Sequence, residues 1–357
     1  MEKEKKSKIK KILVNLTIFI LLIILTFSLV LKDQDVSQIF SVAAKVKKQY
    51  ILFAVLAMSI YILGEAVNIT RILKELGEKS KLISNIRYTL IGFFFSAITP
   101  AASGGQPMEI YYMHKDDISV ANSTLALLMQ LCSLQIVTIT VGTISAVIHF
   151  EVLKSGLIYL LILGIILNSS ALMLLIIAIF SKKLSEGLIK FAVKLLKFFR
   201  IPNVEKKQEK LEKELESYQT SAKYIKEHKI LMLKTVITTV VQMIAYYSVP
   251  YWIYLAFGLT EYNIFEILTL QAVLYATVSG IPSPGAVGVS EGGFLGIFKN
   301  VFPETIISSA MLLTRGANFY LFIIISAIIV MISTFREKGI EKKQMQETEV
   351  LTEKSEK

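Results

Sequence analysis

The sequence predicts an all-α polytopic membrane protein with about six full transmembrane helices and two opposed re-entrant helical hairpins, arranged as an inverted repeat. Three observations carry that expectation. The 357 residues are 54% hydrophobic with a mean hydropathy of +0.58, too apolar for a soluble domain. The apolar residues fall in blocks long enough to cross a bilayer. Two of those blocks are broken by clustered prolines and glycines and carry acidic residues, which a lipid-facing backbone does not tolerate.

The first block, 12–31, follows Lys3, Lys5, Lys6, Lys8, Lys10 and Lys11. About 20 uncharged residues reach across a ~30 Å hydrocarbon core. The run exceeds a signal-peptide core, and Lys-Asp-Gln-Asp follows it where a cleavage site would have small residues, so a retained span is expected. Further blocks lie near 50–70, 118–148, 157–181, 235–258 and 305–335. Cys132 is the single cysteine, so no intramolecular disulfide can form.

The formal charge is +11, concentrated in the tail 1–11, in 71–87, in the connector 182–234 and in the tail 336–357. Cytoplasmic loops carry such an excess of Lys and Arg. That rule places both termini on the cytoplasmic side. It also accounts for the charge without nucleic acid, which is not an expected partner.

Counting crossings from a cytoplasmic N-terminus, 12–31 leads out and 50–70 returns to the basic loop 71–87. Segment 118–148 leads out again and 157–181 returns to the basic connector, so 88–113 must begin and end on the cytoplasmic side. That segment is too short for two spans, because 88–98 rises only about 16 Å as a helix. It contains Pro100, Gly104, Gly105 and Pro107 within eight residues, which interrupt a continuous helix. A re-entrant hairpin is expected at 88–113. By the same count, 264–302 forms a second hairpin from the outside, broken by Gly-Ile-Pro-Ser-Pro-Gly-Ala-Val-Gly-Val-Ser-Glu-Gly-Gly at 280–293. The external loop 32–49 fits the charge rule least well, with Lys32, Lys45, Lys47 and Lys48 against two aspartates.

The two broken segments resemble each other. Pro100 precedes Glu109 by nine residues, Pro282 precedes Glu291 by nine, and each interval holds two glycines. Opposed hairpins of this kind place a site near the bilayer midplane, between a first half at 12–181 and a second at 235–335.

At the same residues, Thr-Pro-Ala-Ala-Ser-Gly-Gly-Gln-Pro-Met-Glu (99–109) and Ile-Pro-Ser-Pro-Gly-Ala-Val-Gly-Val-Ser-Glu-Gly-Gly (281–293), the sequence resembles the lysylphosphatidylglycerol synthase transmembrane (flippase-like) family. That family includes the membrane half of the bacterial multiple peptide resistance factor. The resemblance covers about 12–335. The family's first-loop arginine matches Arg71, and its late intramembrane arginine matches Arg315 in Leu-Leu-Thr-Arg-Gly-Ala-Asn-Phe-Tyr. It implies handling of a membrane phospholipid, such as lysyl-phosphatidylglycerol, moved between leaflets. In full-length members a soluble domain transfers lysine from tRNA to phosphatidylglycerol. Only 22 residues follow 335 here, so an enzyme role would require a separate soluble aminoacyltransferase. A carrier of a small solute or polyprenyl-linked substrate is a third reading.

Candidate site residues follow from the breaks. Arg315 lies about 15 Å into its span at helical rise. It is either a counter-ion for a lipid phosphate or the internal partner of Glu291 or Glu109. Those carboxylates could attract a cationic headgroup, carry a coupling proton, or cap half-helix amides. Gln106 and the amides around Gly104, Gly105, Gly285 and Gly288 could bind an anionic headgroup, or the glycines could serve the turns alone. Pro100, Pro282 and Pro284 shape those turns. Glu65, Asn68 and Arg71 are spaced by three and are expected to share one helix face, and Arg71 could snorkel at its end. Arg87 stands at the mouth of the first hairpin, as a headgroup contact or a topology marker.

Residues 184–199 interleave Lys190, Lys194 and Lys197 with large apolar residues, the pattern of an interfacial helix. Residues 204–218 read as a solvated charged helix. His114, His149 and His228 are scattered without metal spacing, and no phosphate-binding loop is present, so neither metal nor cofactor is expected.

Overall fold

The computed structural model describes residues 17, 36–99, 102–150, 157–181, 183, 186, 187, 190, 194, 204–281 and 283–334. The predicted first span (Thr17 aside), most of the interfacial helix, both charged tails, and Pro100 and Pro282 lie outside them. The described residues are helical, with no strand among them.

Two helices come first, α1 (Val36–Ala44) and α2 (Lys48–Glu75). A pair of shorter ones follows, α3 (Leu82–Ala97) and α4 (Gly105–Lys115). Next are α5 (Val120–Ile148), α6 (Leu157–Phe180) and α7 (Val204–Glu227). The second half holds α8 (Lys229–Ala256), α9 (Ile264–Val278), a 3-10 turn at Pro284–Ala286 and α10 (Val289–Ile297). The last helix, α11, runs over Glu304–Thr334 with a π turn at Gly316–Tyr320.

Among the described residues, five helices are long and apolar enough to cross a membrane: α2, α5, α6, α8 and α11. Their lipid-facing residues are exposed apolar side chains such as Leu52, Leu56, Ile166, Leu174, Ile237 and Ile328. That is expected where hydrocarbon rather than water is the solvent. The 28 residues of α2 span about 42 Å, whereas the 16 of α3 and 15 of α9 reach only about 24 and 22 Å.

Hydrogen bonds sort the helix ends into two sets. On one side Glu78, in the loop before α3, accepts from the Ser119 backbone N–H and Asn122 Nδ2 at the start of α5. Arg87 and Tyr88 at the start of α3 both bond Asp116 at the end of α4, and Tyr112 of α4 meets Thr334 of α11 at 3.3 Å. On the opposite side Lys47 donates its N–H to the Ala256 carbonyl, His149 meets Thr269, and Tyr262 donates to the Asn300 carbonyl. So α3 and α4 start and finish together on the first side. The α9–α10 pair starts and finishes together on the second.

The α2–α5–α8 interface is sewn by polar side chains. Asn68 Nδ2 donates to Gln130 Oε1 at 2.8 Å and to Thr239 Oγ1 at 3.0 Å, and Gln130 Nε2 donates to Gln242 Oε1 at 3.2 Å. Helices in lipid gain little from apolar contact with each other, so such bonds and close packing supply the specificity. The solvated helix expected at 204–218 continues, from Tyr218 on, into a docked end. Glu209 and Lys213 pair at 2.8 Å on the surface. The end of α7 instead docks on the bundle, with Ala222 and Ile225 buried and Tyr218 donating to the Ala178 carbonyl.

Candidate functional site

The inner ends of the two short-helix pairs meet. α3 packs against the Pro284–Ala286 turn, and Phe93 lies edge-on to Phe319 with centroids 6.0 Å apart. A cavity of about 480 Å³ opens there, lined by residues of both pairs and of α2, α5, α6, α8 and α11. Its volume is that of a small-ligand site.

On the second-half wall the chemistry is closed. Val287 and Gly288 end the turn, and the Gly288 N–H donates to Glu291 Oε2 at 2.7 Å, one turn into α10. Glu291 is wholly buried, and its other oxygen accepts from Arg315 Nε at 2.7 Å and from the Tyr320 hydroxyl at 3.2 Å. Arg315 Nη2 donates to the Gly285 carbonyl at 3.1 Å. The guanidinium also lies over the Phe319 ring, 4.1 Å from its centroid. A π turn adds a residue to the helical repeat, which brings Arg315, Phe319 and Tyr320 round to one side. Gly285 has φ +59°, and a Cβ there would strike Phe319. Glycine tolerates both conditions.

The first-half wall is open. Glu109 is 3% exposed, and its Oε2 has no hydrogen-bond partner. It sits on the second turn of α4, beyond reach of the helix N-terminus, where Thr99 Oγ1 accepts from the Gly104 N–H at 2.9 Å. Gly92 of α3 makes room for it, since a Cβ there would overlap the carboxylate. Glu65 of α2 lines the same cavity. Tyr61, Tyr246 and Tyr275 form an aromatic wall, with successive centroids 5.2 and 5.3 Å apart.

Of the residues expected from sequence, Arg315, Glu109, Glu291, Gln106 and Gly285 surround this cavity, all but Glu291 lining it directly. Of the two readings for Arg315, the internal ion pair is the one present, with Glu291 as partner. The capping reading fits Glu291 and not Glu109. Gly104, Gly105, Pro284 and Gly288 shape the turns behind the lining. A Cβ on Gly105 would strike Ser96, so its bareness serves the contact between α3 and α4. Arg71 is elsewhere, bonding Asn68, the Lys234 carbonyl and Thr238, where it ties α2 to α8. Arg87 is engaged with Asp116 at the outer end of α3. Pro100 and Pro282 lie outside the described residues. Glu65, Tyr61, Tyr246, Tyr275, Gln130 and Asn318 were not expected here. The signal for Glu65 was a carboxylate within an apolar span.

Two comparisons bear on this arrangement. The family model described as the lysylphosphatidylglycerol synthase TM region matches residues 12–326. A protein described as a UPF0104 membrane protein, from Archaeoglobus fulgidus, is 24% identical over 279 residues, which cover 74% of this chain and 81% of that one.

Proposed function

The chain belongs to the lysylphosphatidylglycerol synthase transmembrane-region family, and from that membership and the cavity we propose that it moves a phospholipid between leaflets. The observation that carries the reading is the meeting of two oppositely directed broken segments around one polar cavity. Each short helix falls below the ~30 Å of a hydrocarbon core, so both pairs are re-entrant hairpins, the first from the basic, cytoplasmic side. Backbone that is not helical is tolerated at such depth where protein buries it or a polar cavity borders it.

A cavity of about 480 Å³ takes a lipid headgroup and not its acyl chains. The chains therefore stay in the bilayer beside the bundle while the headgroup crosses. Alternating access follows if one hairpin parts from the other, exposing the cavity to one leaflet at a time. Arg315 offers the phosphate a bidentate partner once its hold on Glu291 and Gly285 is exchanged.

The test is lipid exchange in proteoliposomes made from this chain alone. Labelled phosphatidylglycerol or lysyl-phosphatidylglycerol is placed in one leaflet, with wild type beside Arg315→Ala. Exchange by the wild type and its loss in the folded variant are expected. No exchange of either lipid by monodisperse protein overturns the reading.

A further inference from the structure

The cavity carries more negative charge than its own cations answer. Arg315 is committed to Glu291, which leaves Glu65 and Glu109 without a cationic partner among the described residues. α6 contributes Asn168 to the lining. α2 contributes Tyr61 beside Glu65, and α8 and α9 contribute Tyr246 and Tyr275. α3 contributes Thr89 and Gly92, α4 Gln106, and α5 Gln130 and Gln135. Arg315 of α11 lines the cavity, with Glu291 of α10 held behind it. None of these supplies a second positive charge.

The unpaired acids are accompanied by unpaired neutral groups. Thr89, one turn from Gly92 on α3 and 2% exposed, has a hydroxyl with no partner. Asn318, 4% exposed in the π turn, has a side-chain oxygen with no partner. Both line the cavity. Native proteins pair nearly all such buried groups with protein, ordered water or an ion, and these two face a cavity that any of the latter can enter. Glu109 Oε2, Asn318 Oδ1 and the Thr89 hydroxyl are all oxygens able to accept or ligate, and two carboxylates sharing one site do not both stay ionised unaided.

We propose that Glu65 and Glu109, with Thr89 and Asn318 beside them, form a binding site for one exchangeable monovalent cation, a proton or a sodium ion, reached from the cavity. The pair takes up one positive charge from the solution to which the cavity opens and returns it when the cavity opens elsewhere. No covalent chemistry is involved. The site shares the cavity proposed for the headgroup, and it provides an inward or outward ion gradient with a handle on the hairpins.

The test uses purified full-length protein without added lipid substrate. Infrared spectra in sodium-free buffer at neutral pH report protonated carboxylic acid, and radiolabelled sodium reports ion binding. The expected result is either a carboxylic-acid band of one group per chain or one bound sodium ion per chain, the first naming the proton and the second sodium. Glu109→Gln and, separately, Glu65→Gln are expected to abolish that signal while remaining monodisperse. The two variants alter different helices, so misfolding of one leaves the other decisive. Absence of both signals in the wild type, or persistence of the signal in both variants, overturns the site. Lost lipid exchange with an intact signal counts against translocation alone.

Discussion

The two hairpins start from matched sequence and reach opposite electrostatic solutions. In each, a carboxylate stands nine residues after a proline, at Glu109 and Glu291. Glu291 caps its helix, and Arg315 and Tyr320 bond it at 2.7 and 3.2 Å. Glu109 sits two residues further into its helix, shares a cavity with Glu65, and keeps an oxygen without a partner. The second hairpin is a lock whose charge is internally satisfied. The first, on the cation-site proposal, is a receptor. Matched sequence segments thus yield one paired carboxylate and one with an unpartnered oxygen, and the difference is made by the helix that each one meets.

The largest effect should come from breaking the lock. Glu291→Ala leaves Arg315 buried without its partner, and losing one member of a buried ion pair costs about 3–5 kcal/mol. Thermal unfolding in detergent should show a marked loss of stability. Replacing both residues, Glu291→Gln with Arg315→Met, should restore most of it while leaving lipid exchange absent; stability equal to the single variant would deny that the two act as a pair.

Filling the receptor should cost less. Gly92→Val places methyl groups where Glu109 lies, and overpacking of this kind costs about 1–3 kcal/mol. The same change should displace the Glu109 carboxylate and remove lipid exchange. An unaltered exchange rate would show that the first hairpin has room to spare.

Asn263 begins the second hairpin, with its side chain accepting from the Phe265 and Glu266 N–H groups while Glu266 bonds the Asn263 N–H in return. Asn263→Ala should cost about 1 kcal/mol by loss of that cap. Exchange is expected to continue, because the cap lies at the outer end of α9; its disappearance would tie hairpin docking to transport.

The smallest effect on stability is expected at Glu109 itself. Glu109→Gln keeps the shape and removes a charge that no side chain answers, so stability should change by less than about 1 kcal/mol or increase. A loss as large as that of Glu291→Ala would reveal a partner for Glu109 and erase the contrast between the hairpins.

The site was partly legible before any coordinates. The broken runs, the proline–glutamate spacing and the intramembrane arginine named Arg315, Glu291, Glu109, Gln106 and Gly285, and all five gather at one place. Glu65 was grouped with Asn68 and Arg71 because the spacing is three. Each such step turns the helix back by about 60°, so Glu65 and Arg71 end up about 120° apart. Glu65 therefore faces the cavity, while Arg71 faces α8 and bonds the Lys234 carbonyl and Thr238. Arg87 read as a topology marker or a headgroup contact because its partner, Asp116, is 29 residues away on another helix.

By itself the sequence determined the class of the protein, since blocks of apolar residues long enough to span a bilayer leave helices as the open choice. It also determined where the chain breaks, because proline and glycine act on the backbone locally. Only the tertiary structure decided which acid is paired. Arg315 is 24 residues from Glu291 in the chain, and reaching it depends on a π turn, a positive φ at Gly285 and the depth at which two hairpins meet. None of those is a property of a segment read alone. Coulomb energy depends on distances between elements, and those distances exist once the helices have packed.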